Sequence, residues 1–336
     1  MKKLLALALV FTVCISFTFA NGQEEKGSST SESPVKWVKS VEVQVPARAG
    51  GGTDVMARTL GNQVAKLAGN TITIVNNTDG SGVVAMEKVR TAKTDGSTIL
   101  QFHSTMLIKS ATGVYKYNAV DDFSIIGVSH MTELAGYVLV ASADSQYKTV
   151  DDLVKAAKAA PGTLLFGVET GGTAHIESGL FAKAAGIKVK FVEAGSDTEK
   201  LTALVGKNID ACFVNPNQAK QYIQAEKATA LGVVSIDSTG GRSSVLPDVP
   251  SFQELGYDFA FGTYNLFLGP KGMDPALISM IRDYYVQAAA DPSVNAILEP
   301  AGFAMEFYSP EVGLAAVKKQ QMELNEVTAE LGLVKK

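Results

Sequence analysis

At 336 residues the chain exceeds what one hydrophobic core usually serves, which favours two domains over one. With 46% hydrophobic and 19% charged residues it has ample core material, which excludes a disordered chain. A net charge of −4 argues against a nucleic-acid partner.

Lys2 and Lys3 precede an apolar run from Leu4 to Phe19, and "TFA" ends at Ala20. This is the pattern of a secretory signal peptide over residues 1–20. A lipoprotein signal processed at Cys14 is the rival reading, although Val13 is not the small residue such processing needs. A retained anchor is the third. Residues 21–37, rich in Ser, Glu and Gly, read as a flexible linker. Without residues 1–20 the chain loses two lysines, no acid and one of its two cysteines. Only Cys212 remains, so no internal disulfide holds the exported domain. The expected location is outside the cytoplasmic membrane, periplasmic or tethered to its outer face.

Val41, Val43 and Val45 alternate as a strand. Thr53 can cap a helix whose apolar face carries Met56, Leu60 and Val64 and which ends at Gly69. A strand over Thr71–Val75, a helix over Gly82–Lys93 and a strand in "STILQFHS" follow, the alternation of a parallel α/β sheet. The pattern restarts at "TVDD" (Thr149–Asp152), a helix cap. Strands Thr163–Val168, Lys188–Glu193, Ile209–Val214 and Ala230–Ile236 then alternate with helices Ala174–Ala185, Asp197–Val205 and Asn217–Lys227. Ser196 and Glu199 form a capping box for the second of these helices. Two apolar runs, Gly136–Ser142 and Tyr264–Pro270, flank this second unit as crossover strands. After them come helices, a short strand near Phe303–Phe307, and a last helix opened by Ser309 and Pro310. The expected architecture is two α/β lobes joined by two crossings, with the C-terminal helices packed back on the first lobe.

Enzyme signatures are weak. His103, His130 and His175 lie in different elements, with no zinc-binding spacing and no nucleophile elbow. A G-x-G-x-x-A occurs at Gly80–Ala85, but "NNTDG" replaces the tight turn and no acid follows for a ribose. What recurs is a loop of one kind before a helix: Gly50-Gly51-Gly52-Thr53, Thr78-Asp79-Gly80-Ser81-Gly82, Thr170-Gly171-Gly172-Thr173 and Gly195-Ser196. Each offers N–H groups and a hydroxyl at the positive end of a helix dipole. All four lie beyond strand C-termini, where open α/β sheets bind ligands. Loops of the first unit would face loops of the second across a cleft suited to a small anion. Ser104 ends the third strand and joins the candidates, as does Asp54 just inside the first helix. Arg48 is a candidate contact for which a solvated surface arginine is at least as good a reading, and His175 is a candidate for which a capping or half-buried role is the stronger reading. Tyr264 could wall the cleft or belong to the core.

The stretches "VPARAGGGTDVMAR", "IVNNTDGSGVVAMEKVRTAKTDGSTIL", "GVETGGTAHIESGLFAKAAGIKVKFVEAGSDTEKLTALVGKNIDA", "LPDVPSFQELGYDF" and "YNLFLGPKGMDP" run in order through nearly the whole exported chain. Together they resemble the extracytoplasmic solute receptors of the tripartite tricarboxylate transporter family, the Bug proteins. The resemblance implies a type II periplasmic-binding-protein fold that closes like a Venus flytrap, with lobe 1 at 38–138 and 265–336 and lobe 2 at 139–264. It implies that Ala47 to Thr53 and Thr78 to Gly82 hold one ligand carboxylate, while Thr170 to His175, Gly195-Ser196 and Asn215 meet the rest. It implies a monomer without a cofactor that hands a small organic carboxylate, a di- or tricarboxylate or related acid, to large and small permease subunits. Three positions depart from the family pattern: Ala47 replaces an aromatic, Asn215 an Asp and Tyr264 a Trp, which bears on ligand identity. Two other readings stay open, a ligand-loaded sensor for a signalling partner and a secreted nucleotide-dependent enzyme.

Overall fold

The structure is a computed structural model that describes residues 35–131, 136–236, 241–301, 303 and 305–334. The expected signal peptide, Cys14 and the expected linker up to residue 34 lie outside the described residues, as does the side chain of His130.

Alternating valines form β1 (Ser40–Val45), followed by α1 (Gly52–Ala68) and β2 (Thr71–Asn76). A left-handed turn then leads into α2 (Val83–Arg90), β3 (Thr98–His103) and α3 (Thr105–Ala111). β4 (Phe123–Met131) precedes the first crossing and β5 (Val138–Ser142) follows it. The middle of the chain supplies α4 (Val150–Ala159), β6 (Leu165–Val168), α5 (Thr173–Ala185), β7 (Lys190–Glu193), α6 (Asp197–Val205), β8 (Ala211–Val214), α7 (Pro216–Gln224) and β9 (Ala228–Val233). The chain ends with β10 (Tyr264–Pro270), α8 (Pro275–Ala289), α9 (Pro292–Leu298), β11 (Met305–Phe307) and α10 (Pro310–Glu330).

Two mixed sheets result, ordered β11-β4-β10-β3-β1-β2 and β7-β6-β8-β5-β9. In the first, β1, β2 and β3 run parallel, and β10 inserts antiparallel between β3 and β4. In the second, β6, β7 and β8 run parallel, and β5 pairs antiparallel with β8 and β9. The two apolar runs read as crossover strands therefore do not span the crossings. β5 lies wholly in the second sheet and β10 wholly in the first.

Most of the expected caps form. Gly69 ends α1 at φ 64°, Thr149 and Asp152 make a capping box, and the Ser309 hydroxyl accepts the Val312 N–H. Thr53 does not cap: Gly51 occupies that position, and Thr53 sits buried inside the first turn. Trp37 corrects the linker boundary. Its ring is buried against Tyr284 and its indole N–H donates to the Gly96 carbonyl at 2.8 Å, so the chain is anchored from there.

After β9 the chain stays on the second sheet without regular structure. Val233 bridges Ser251, Ser235 bridges Ala260, and Phe252 and Phe259 meet the rings of Phe181 and Phe213. Fully burying each such ring is worth about 2–3 kcal/mol, enough to fix an irregular segment. α8 and α9 cover α1, as expected of C-terminal helices packed on the first unit. α10 differs, because it touches both units. Gln321 and Thr328 donate to the Leu107 and Ala111 carbonyls of α3, while Val327 and Leu331 press on Gly179 of α5.

Candidate functional site

The parallel strands of both sheets point their C-terminal ends at the same space. A cavity of about 570 Å³ lies between them, bordered by Ser81, Thr105 and Lys109 from the first sheet's edge. Glu169 to Thr173, Asp197 and Lys200 border it from the second. An adjoining cavity of about 210 Å³ is lined by His103, Ser104, Asn215, Glu177 and Phe261. Thr105, Ile108, Tyr137 and Thr173 line both, so the two are chambers of one cleft. Other grooves of similar size exist, one holding Tyr264 and Lys183, another Ser124 and Arg282. Neither is bordered by the strand ends of both sheets.

Six expected residues meet in the cleft: Ser81, Ser104, Thr170, Gly172, Thr173 and Asn215. Ser81 is held at φ 60°, a left-handed conformation that costs a non-glycine residue about 1–2 kcal/mol, between Gly80 at φ 57° and Gly82 at φ 85°. The turn is locked by Gly82, whose missing Cβ makes room for Pro46. Thr173 opens α5, where the first helical N–H groups lack intrahelical acceptors. Ser104 is partly spent on architecture: its hydroxyl accepts the Tyr264 N–H at 2.8 Å. Asn215 caps α7 through its side-chain oxygen and donates its N–H to Asp197.

The other expected residues border neither chamber. Arg48 is exposed outside the cleft, and the Ala47 carbonyl accepts from Asn76. Gly50, Gly51 and Gly52 lie at the end of β1, but the Gly50 N–H goes to Asp54 at 2.8 Å and the Gly51 N–H to the Arg48 carbonyl at 3.2 Å. Gly52 and Thr53 keep the first-turn N–H groups, with the Phe303 ring packed on Gly52. Asp54 is a latch. Its buried carboxylate accepts from Gly50, Arg58 and Asn76. Burial pushes its pKa up, but those three bonds outweigh burial and hold it below the usual range. Thr78 and Gly80 are exposed shoulders of the turn that presents Ser81.

At the second sheet's edge, acids have taken the donors. Glu193 accepts the N–H groups of Thr170 and Gly195, at 2.8 and 3.0 Å. Glu199 accepts both the Ser196 N–H and its hydroxyl, so the Gly195-Ser196 loop has little left for a ligand. His175 turns away from the cleft and packs on Phe191, with Nδ1 accepting the Gly171 N–H at 3.3 Å. Burial lowers its pKa, which keeps the imidazole neutral. The Tyr264 ring meets Tyr308 on the side of the other groove.

Sequence reasoning passed over several lining residues. Lys200 is 2% exposed, and its ammonium is held by Asp197 at 2.7 Å and the Phe213 carbonyl at 2.8 Å. Tyr137 lies over that ammonium, its ring centroid 5.4 Å away. His103 is held neutral: burial and then the Lys109 charge push its pKa down to about 4. Glu177 is 1% exposed, and burial raises its pKa to about 8. The Asp and Glu residues spaced four and three positions after Gly50 and Ser196 were a readable sign that those N–H groups were already claimed. A glutamate and a lysine on the buried faces of short helices were the sign of Glu177 and Lys200. The lining thus combines hydroxyls, helix N–H groups, the paired Lys200 and Asp197, and the further basic and acidic side chains Lys109, Glu169 and Glu177, an arrangement that can bind polar solutes.

A family profile described as "Tripartite tricarboxylate transporter family receptor" matches residues 56–326. A Pseudomonas sp. (strain P51) protein described as a UPF0065 protein in the tcbD-tcbE intergenic region is 27% identical over 314 residues, covering 93% of this chain and 90% of its own. Among solved structures, a TctC solute-binding protein from Polaromonas superposes with a TM-score of 0.74 at 22% identity, over 86% of this chain and 98% of that one. MatC from Rhodopseudomonas palustris, with bound malate, gives 0.63 at 22% identity, over 86% and 99%. An R. palustris protein with adipate gives 0.64 at 21%, over 87% and 97%. Those structural likenesses establish the two-lobed binding-protein fold, and the profile match over most of the chain establishes the family: this chain belongs to the receptors of the tripartite tricarboxylate transporter family.

Proposed function

We propose that this chain is an exported receptor that captures a small organic carboxylate between its two sheets and delivers it to a permease of large and small membrane subunits. Family membership and the malate- and adipate-bound relatives support the ligand class and the transport role. The observation that carries the reading is the meeting of Ser81 and Thr105 with Thr170 and Thr173 around one cavity of about 570 Å³. That volume falls within the roughly 300–1,000 Å³ usual for small-molecule sites. Neutral donors recognise a carboxylate without a buried counter-charge, and closure strengthens each bond by excluding water. Residues 37–131 with 264–334, which carry the first sheet, form one jaw and residues 138–260, which carry the second, form the other, hinged where the chain crosses ahead of Val138 and ahead of Tyr264. Ala47 to Thr53 would reach the ligand only as the jaws close, through the N–H groups of Gly52 and Thr53. The chain binds and releases its solute chemically unchanged. Its export follows from the signal peptide read at residues 1–20, and among the described residues no helix is long and apolar enough to cross a membrane.

A thermal-shift screen of di-, tri- and monocarboxylic acids tests the reading. At a ligand concentration one hundred times Kd the stabilisation is about 2.7 kcal/mol, a readily measured rise in Tm. No shift with any acid would overturn the ligand class.

A further inference from the structure

Glu177 carries the strongest unspent hydrogen-bonding capacity in the cleft. It follows Thr173 by four residues on α5, so both side chains share the helix face that lines the smaller chamber. It is 1% exposed. Oε1 accepts the Tyr137 N–H at 3.4 Å, while Oε2 is buried without any partner. Among the described residues no cation is bonded to it. Lys200, on α6, is committed to Asp197 and to the Phe213 carbonyl. His103, across the chamber at the end of β3, is neutral, and His175 on α5 itself is neutral and faces Phe191. Tyr137 presents only its N–H, and the Lys200 charge, not bonded to Glu177, favours the ionised carboxylate while the Asp197 charge opposes it, but burial outweighs them all.

A carboxylate buried without a bonded counter-charge is costly, and the neutral acid is the form that such a site favours. The neutral acid has an O–H to donate, and none of the described residues accepts it. A solute carboxylate entering the chamber supplies the acceptor, and an O–H···O⁻ bond is among the stronger hydrogen bonds available. An ionised Glu177 would instead repel that solute at close range.

We infer that Glu177 is a specificity-determining residue that donates its carboxyl proton to a carboxylate oxygen of the bound acid, so that capture requires Glu177 to be protonated. The inference rests on the carboxylate-receptor reading above and deepens it. It makes the receptor release its solute as pH rises through the Glu177 pKa, near 8, the direction opposite to that for a ligand ammonium or hydroxyl donating to an ionised glutamate.

The test is calorimetric titration of the full receptor with malate, adipate and the other straight-chain C3–C6 dicarboxylates. Titrations run between pH 6.5 and 9, where these acids stay ionised, in buffers of different ionisation enthalpy. Expected is a Kd that is flat below pH 7 and about tenfold weaker at pH 9, with proton uptake approaching one per ligand at the alkaline end. Glu177→Gln, which keeps an N–H donor, should bind at pH 7 with a flat pH profile. Glu177→Leu should lose about tenfold or more at pH 7, and the thermal midpoint of each variant checks folding. A flat profile in the unmodified protein, tighter binding at high pH, or a pH dependence that survives in Glu177→Gln would overturn the inference alone. Failure of every acid to bind would overturn the receptor reading and the inference with it.

Discussion

Asp54→Ala separates a structural latch from a ligand contact. The Asp54 carboxylate is 3% exposed and accepts the Gly50 N–H at 2.8 Å, Asn76 Nδ2 at 2.9 Å and Arg58 Nε at 3.0 Å. Alanine removes all three bonds. Gly50 and Arg58 are exposed and regain water, and Asn76 keeps its bond to the Ala47 carbonyl, so the loss falls near the low end for charged hydrogen bonds. At about 1 kcal/mol per bond the variant loses about 3 kcal/mol. For a chain this size that lowers Tm by about 6 °C. The pH dependence has a definite sign. Asp54 titrates below its unfolded value, so its contribution is complete above about pH 4 and disappears as pH falls through the lower, folded pKa. Circular-dichroism melts at pH 7 and at pH 3.5 should therefore show a gap between the two proteins that shrinks in acid. A Tm at pH 7 within 1 °C of the parent, accompanied by lost affinity for dicarboxylates, would refute the latch and make Asp54 a ligand contact.

Three further outcomes follow from packing. Cys212 is fully buried and its thiol is pushed up to about 12 by desolvation, so thiol reagents should label it only after denaturation, and rapid labelling of the native protein would contradict its place in β8. Gly82→Ala combines a left-handed φ of 85° with a Cβ driven onto Pro46, and should cost about 2–4 kcal/mol in urea unfolding, whereas a neutral effect would mean the turn adopts another form. Trp37→Ala removes a buried ring and its bond to Gly96, an expected loss of about 3–5 kcal/mol, and an unchanged midpoint would return residue 37 to the linker.

The parallel strands were legible because β1 and β6 keep local signals: a short apolar strand, with alternating valines in β1, then a glycine-rich turn into a helix. α3 and β4 carried no such signal. Met106, Leu107 and Ile108 are all buried, which erases the helical period, and Ile126 to Ser129 are buried in succession, so both faces of that part of β4 are covered. The place of β10 between β3 and β4 depends on pairing across more than a hundred residues, which no local pattern encodes. At the site, glycine and hydroxyl positions could be read, but not who owns their N–H groups. Glu193, Glu199 and Asp54 claim donors that look free in one dimension. Conversely, Glu177 enters the cleft because α5 turns that face inward, a consequence of Gly179 docking on α10.

The most direct test of the central claim is a crystal structure of the receptor with its tightest-binding dicarboxylate. The account predicts ligand density between the two sheets' strand ends, with a carboxylate within hydrogen-bond distance of Ser81 or Thr105 on one side and Thr170 or Thr173 on the other. Density in the groove beside Tyr264 and Lys183, or contacts with one sheet's loops alone, would contradict it.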